Sequence, residues 1–195
     1  MIIGIIMASG FSTRMNRDKL TLTIDGEPVI ERVIKAAKAS KLGEILLVYQ
    51  KDEVKDIGLK HGIKTILNQN PEKGQSQSMK LGIKASAPEA KGYMFIVGDQ
   101  PLLNSQTIDI LIDAFNHNDK EIVVPIYNKK NGSPTIFSSK LRNKLLRVEG
   151  DKGGREIIEE MKNKVEFIHI KDYKAGLDMD TWEEYEQINR MGMKK

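Results

Sequence analysis

Apolar residues in this chain fall into short unbroken runs that take turns with longer stripes at helical spacing. Residues 2–7 form an almost continuous apolar run, the pattern of a strand covered on both faces. Residues 20–24 alternate apolar and polar and predict a short extended piece, with Asp25-Gly26 as a turn. Pro28 stands where a first helical residue would, and Val29, Ile30, Val33, Ile34, Ala36 and Ala37 recur at helical spacing until Gly43. Residues 45–49 and 63–67 predict the second and third strands, separated by a short crossover that closes at His61-Gly62. A polar loop from Asn68 to Gly74 leads into a helix over about 76–86, with Met79 and Ile83 facing inward. Residues 93–97 predict a fourth strand ending in Gly98-Asp99-Gln100-Pro101. Asn104 or Ser105 can cap the next helix, whose inner face is Ile108, Leu111, Ile112 and Phe115.

The second half is less regular. Residues 122–125 predict a strand ending in proline, Asn131-Gly132 a hairpin turn, and 133–137 an antiparallel return. Short helical pieces follow at 141–146 and 157–161, on either side of a charged loop with glycines at 150, 153 and 154. Residues 165–170 alternate as an edge-like strand. Thr181 caps a final helix with Glu183 and Glu184 in its first turn. Strand and helix in alternation mean an α/β fold: a mostly parallel sheet with helices on both faces.

Composition narrows the class. With 195 residues, 39% hydrophobic and 30% charged, the chain suits one globular domain with a substantial core. No apolar stretch reaches the length of a membrane span. The amino terminus carries no basic residue before its apolar run, which argues against a secretory signal and for a cytoplasmic protein. The absence of cysteine excludes disulfides, thiolate metal sites and cysteine nucleophiles. The net charge of +4 comes from scattered lysines without an aromatic-interleaved basic stripe. That pattern speaks against nucleic acid and suits a small polyanionic substrate.

Ligands of open parallel sheets bind beyond the carboxyl ends of the strands. Three polar stretches fall there: 9–19, 68–78 and 98–101. Ser9 and Gly10 allow a tight turn whose N–H groups can cradle phosphate, Arg14 can grip it in a fork, and Lys19 adds a mobile charge. It is not the Walker pattern, since no GxxxxGK followed by Ser or Thr occurs. The same residues also fit a plain strand-to-helix loop with two solvated cations. Asp99, at a strand end after a glycine, is a fitting Mg²⁺ ligand, or else a turn residue. Asp178 and Asp180 would point the same way from extended backbone and need a cation between them, unless they serve only as helix caps. Ser76 and Ser78 open a helix and can hold a ribose or phosphate, or merely cap it; Asn70 can read the edge of a base. His61, His117 and His169 stand alone in sequence.

Taken together, Met7-Ala8-Ser9-Gly10-x-Ser12-x-Arg14-Met15, then Asp18-Lys19-Leu20, Asn70-Pro71, Gly74 through Gly82-Ile83, Gly98-Asp99-Gln100-Pro101-Leu102, Gly132-Ser133-Pro134, Gly150-Asp151-Lys152-Gly153-Gly154-Arg155 and Asp178-Met179-Asp180-Thr181 resemble the signature of the nucleotidyltransferases. The branch most resembled is that of the molybdenum cofactor cytidylyltransferases and their guanylyl relatives. The resemblance implies a three-layer α/β/α Rossmann-like sandwich of the nucleotide-diphospho-sugar transferase type, mostly parallel with one antiparallel strand. It implies a single domain over 1–195, with the nucleotide bound by about 1–103 and the acceptor by about 104–190. Ala8, Ser9, Gly10, Ser12, Arg14, Lys19, Asn70, Gly74, Ser76, Ser78 and Asp99 would bind CTP, with Arg14, Lys19 and Asp99 as the catalytic set. Asp99 and Asp180 would hold Mg²⁺, with Mn²⁺ able to stand in. Gln100, Pro101, Ser133, Pro134, Asp151, Lys152, Gly153 and Arg155 would face the acceptor, the phosphate of molybdenum-bound pterin. CMP would pass to that phosphate, pyrophosphate would leave, and the product would go to a molybdenum hydroxylase.

The chain departs from the family pattern at Ser9 (usually alanine), Asn16 (usually glycine), Ser133 (often histidine) and Trp182 (usually proline). These departures touch base and acceptor choice more than nucleotidyl transfer. A transferase with another base or another phosphorylated acceptor is the near alternative. A non-catalytic chaperone for the molybdenum cofactor is the distant one, and the full phosphate and metal set argues against it. A dinucleotide-binding oxidoreductase lacks its GxGxxG after the first strand.

Overall fold

The computed structural model describes residues 1–11, 15 and 18–192, with nothing described of the side chain at 192. Its strands are β1 (Ile2–Ala8), β2 (Thr23–Ile24), β3 (Glu27–Pro28), β4 (Glu44–Tyr49), β5 (Lys64–Leu67), β6 (Gly92–Val97), β7 (Ile122–Tyr127), β8 (Lys130–Asn131), β9 (Thr135–Ser138) and β10 (Val165–His169). Its α-helices are α1 (Val29–Lys38), α2 (Asp52–Lys60), α3 (Gln75–Ala85), α4 (Ser105–Asn116), α5 (Arg142–Leu145), α6 (Arg155–Glu160) and α7 (Trp182–Gly192). The main sheet runs β10-β7-β9-β6-β1-β4-β5, with β8 attached to β7. β1, β4, β5 and β6 are mutually parallel, β10 is parallel to β7, and β9 is antiparallel to both its neighbours.

Alternation along β1 builds the two halves of the core. Ile2, Ile6 and Ala8 pack with Val33 and Ile30 of α1 and Ile108 and Ile112 of α4 on one face. Ile3 and Ile5 pack with Met79 and Ile83 of α3 on the other. This is the expected three-layer α/β/α arrangement. On the second face Gly82 lets α3 lie hard against β1, because a Cβ there would stand 2.4 Å from Ile5 Cγ2. That close approach brings Ser78, one turn earlier, beside the end of β1. No helix among the described residues is long and apolar enough to cross a membrane.

Three local expectations are corrected. β7 does not stop at Pro125 but runs to Tyr127. Along β7 only Ile122 and Val123 pair with β9, so the missing proline N–H interrupts no bond of that antiparallel ladder. The hairpin turn is at Asn128-Lys129, both at positive φ (47° and 70°), and not at Asn131-Gly132. Gly132 instead makes room for a ring: a Cβ there would stand 2.6 Å from Tyr127 Cδ2. Pro28 is the residue before the first helical turn, because it pairs with Thr23 in the β2–β3 hairpin.

Candidate active site

The ends of β1 and β6 and the segment 178–180 meet at one rim. Gly98 N–H donates to the Met7 carbonyl at 3.0 Å, and Met179 N–H donates to the Asp99 carbonyl at 3.0 Å. These two bonds hold the Asp99 turn between the end of β1 and the approach to α7. Asp180 is fixed in turn by a capping box: its N–H and that of Thr181 donate to Glu184 Oε2 at 2.8 and 2.9 Å, and Glu184 N–H donates to Thr181 Oγ1.

Lys19 fills the space between the two acids. Its ammonium donates to Asp99 Oδ2, and to Asp180 Oδ1 at 2.6 Å. Burial disfavours the lysine charge, but the two carboxylates outweigh it and hold its pKa above the ordinary lysine value. Lys19 is therefore charged at neutral pH. Asp99 Oδ1 is buried and has no hydrogen-bond partner among the described residues. Such an oxygen is poised to accept a cation or a donor. Asp178 reaches solvent, yet crowding by its neighbours and then the Asp99 charge push its pKa up to about 6, against a hydrogen bond from Gln100 Nε2 at 2.9 Å.

A cleft of about 410 Å³ opens in front of this group, between Ala8 and Gly10 on one side and Pro71, Gly74 and Ser78 on the other. Its back wall is tied together by side chains. Ser9 Oγ and Ser78 Oγ are 2.6 Å apart, and Asn68 Nδ2 donates to Ser9 Oγ at 2.9 Å. Gln50 Nε2 holds the Gly10 carbonyl at 2.9 Å. Asp151 closes the cleft from the second half of the chain, where its Oδ1 accepts the Gln75 N–H at 3.0 Å. Gly74, at φ +81°, makes that docking possible, since a Cβ there would lie 2.5 Å from Asp151 Oδ1.

A second hollow of about 590 Å³ adjoins the first and shares Met7, Gln75 and Val97 with it. Phe95 and Phe137 line it with ring centroids 5.9 Å apart, and Lys130, Lys152 and Arg155 supply cations. Tyr127, its pKa raised by burial and then by Asp172 and Asp178, stays a phenol that donates to the Ser133 carbonyl at 3.0 Å. Both hollows draw residues from both halves of the chain.

Ala8, Ser9, Gly10, Lys19, Gly74, Ser78 and Asp99 line the first hollow together, and Gln100, Ser133, Lys152 and Arg155 line the second. Ser12 and Arg14 lie outside the described residues. Ser76 is buried and donates to the Lys73 carbonyl, away from the cleft. Pro101 is buried, and its carbonyl accepts from Arg32 Nε at 3.1 Å on the α1 side of the sheet. Pro134, which follows a cis peptide, is buried outside the lining of either hollow, and half-buried Asn70, whose N–H is held by Asn68 Oδ1, also lies outside both linings. Gly153 backs onto Gln75, and Asp151 belongs to the first hollow rather than the second. Sequence reasoning missed Asn68, Gln50 and Arg32. Among the described residues no three acidic or histidine side chains converge as an all-protein metal cage. Asp99 lines the cleft, while Asp180, bonded to the same lysine, lies outside the lining of either hollow. Carboxylate oxygens suit an ion such as Mg²⁺, which completes its shell with water and substrate phosphate.

The family model described as a MobA-like NTP transferase domain matches residues 4–165. The purine catabolism protein PucB of Bacillus subtilis (strain 168) is 27% identical over 97% of this chain and 96% of its own length. A protein of Pyrococcus furiosus named as a probable molybdenum cofactor guanylyltransferase is 30% identical over 73% of this chain and 70% of its own length. In three dimensions the chain resembles Rv0371C of Mycobacterium tuberculosis H37Rv, solved as a complex with manganese, with a TM-score of 0.83 and 24% identity over 97% and 98% of the two chains.

Proposed function

We infer the reaction of this chain from its family, for it belongs to the MobA-like NTP transferases, which makes it a nucleotidyltransferase. Its relatives include molybdenum cofactor nucleotidyltransferases by name. The specific reading is transfer of CMP from CTP to the phosphate of molybdenum-bound molybdopterin. The observation that carries it is the Lys19–Asp99–Asp180 cluster at the head of a cleft that opens onto a second, cation-rimmed hollow. Two anions have to meet in this reaction, and such a pair of joined hollows suits one to each.

The acceptor phosphate supplies the attacking oxygen, a new bond forms to the α-phosphorus, and the bond to the leaving pyrophosphate breaks. No protein nucleophile is needed. Lys19 carries a fixed positive charge to the triphosphate, and the backbone turn after β1, with Arg14 in the same stretch, cradles it. Asp99 and Asp180 would hold a divalent cation, Mg²⁺ with Mn²⁺ able to replace it; such an ion neutralises phosphate charge and steadies the leaving group. The manganese complex of the mycobacterial neighbour and the unpaired Asp99 oxygen support that reading. Gln100, Ser133, Lys152 and Arg155 face the acceptor. The product would pass to a molybdenum hydroxylase in the cytoplasm.

GTP is the rival donor, because the Pyrococcus relative is named as a guanylyltransferase. Pyrophosphate release from CTP, GTP, ATP and UTP, each with and without molybdenum-loaded molybdopterin, separates the readings. Release with CTP only when the loaded pterin is present is expected. Release with GTP instead moves the assignment to guanylyl transfer, and release from none of the four overturns it.

A further inference from the structure

Asn68 is buried to 2% exposure at the end of β5, and its N–H donates to the Tyr49 carbonyl at the end of β4. Its amide orientation is determined by its neighbours. Asn70 N–H donates to Asn68 Oδ1 at 3.0 Å, so the Nδ2 group must face the two serines. It donates to Ser9 Oγ at 2.9 Å and to Ser78 Oγ at 3.4 Å, and the two serine oxygens share one hydrogen at 2.6 Å.

The amide brings two hydrogens and the hydroxyls bring two, while the cluster contains three hydrogen bonds. One hydroxyl hydrogen is left over. Among the described residues no further acceptor is bonded to either serine, and both serines line the cleft. A hydroxyl hydrogen at the wall of the cleft, with no protein acceptor among the described residues, can be given to whatever fills it.

The position in the sheet tells which part of the ligand meets it. β1 lies between β6 and β4. The charged group, Lys19 with Asp99, stands at the β6 side, while Asn68 stands on the far side at β4 and β5. A triphosphate drawn to the charged end leaves the uncharged end of the cleft to the nucleoside. We propose that Asn68 is a positioning residue that orders the Ser9–Ser78 hydroxyl pair, so that its spare hydrogen is offered to an acceptor atom of the nucleoside. This rests on the nucleotidyltransferase reading above.

Asn68→Asp tests it, because it keeps the shape and the acceptor for Asn70 N–H but reverses the polarity toward the serines. Both hydroxyls then donate inward, and their lone pairs face the ligand. Binding of CTP, GTP and inorganic tripolyphosphate is measured by calorimetry on the wild type, on Asn68→Asp and on the pair Ser9→Ala with Ser78→Ala. Loss of one such bond weakens the preferred nucleotide about tenfold or more in each variant, while tripolyphosphate stays within about twofold. In turnover, KM for the nucleotide rises and kcat is little changed. The serine pair carries the test if Asn68→Asp fails to fold. Unchanged nucleotide affinity overturns the proposal, and so does an equal loss for tripolyphosphate, which would mean charge repulsion or general disorder of the cleft. A wild type that binds none of the nucleotides overturns the wider reading as well, so the two failures are distinguishable.

Discussion

Lys19 donates to Asp99 Oδ2 across 80 residues of sequence, and the same ammonium reaches Asp180 from the far end of the chain. The loop after β1, the turn after β6 and the approach to α7 are thereby joined by one cation. The acids that suit a divalent metal are the acids that now hold the lysine.

Lys19 and a metal therefore compete for the same two carboxylates. Lys19→Met is expected to bind Mn²⁺ about tenfold more tightly than the wild type without nucleotide, and to bind a nucleoside triphosphate about tenfold more weakly. Mn²⁺ titration followed by electron paramagnetic resonance reads the first, and calorimetry the second. Equal Mn²⁺ affinity in the two proteins would show that Lys19 does not guard the acidic pair.

The docking of the 150–152 turn onto α3 depends on Gly74. Alanine there meets Asp151 Oδ1 and the Gly150 carbonyl carbon at 2.5 Å, in a backbone of φ +81° that L residues rarely adopt. Gly74→Ala should cost about 1–3 kcal/mol in a urea midpoint measurement. It should also loosen the cleft, since Gln75 N–H loses its acceptor. A variant as stable as the wild type would mean that the turn is docked by other contacts.

Stability should depend on pH through Glu31. This buried carboxylate accepts from Lys60 and pairs with His61 Nε2 at 2.8 Å, and these partners, His61 first, hold its pKa below the ordinary value. A carboxylate whose folded pKa is depressed adds stability above its unfolded pKa and loses it as pH falls through the folded one. Glu31→Gln should therefore be less stable than the wild type at pH 7, with the gap closing in acid below the usual glutamate range. Thermal unfolding at a series of pH values checks this, and a gap independent of pH would contradict it.

Much of this arrangement is legible in the chain, and what is not has a physical reason. The run into Ser9-Gly10 and the Gly98-Asp99 turn can be read because strand ends in a parallel sheet collect ligands whatever lies between them. Asn68 was hidden in a polar loop, where composition cannot distinguish a buried amide from a solvated one. Its burial comes from α3 and β1 approaching over Gly82. Pro101 sits in a recognisable motif, yet its carbonyl turns to Arg32, a residue whose helical spacing suggests only a solvated face. The hairpin at Asn128-Lys129 escaped notice because Asn131-Gly132 is the stronger local turn signal, while the ring of Tyr127 requires that glycine for packing. Arg14 and Ser12 fall outside the described residues, so their roles rest on the motif.

Asp99→Ala tests the central claim most directly. Its carboxylate bonds Lys19 and leaves one buried oxygen unpaired at the head of the cleft. Mg²⁺-dependent pyrophosphate release from the preferred triphosphate and molybdenum-loaded molybdopterin should fall by about a hundredfold or more, with the circular dichroism spectrum unchanged. Turnover within about threefold of the wild type would mean that the cleft headed by Lys19 and Asp99 is not where the nucleotidyl group is transferred.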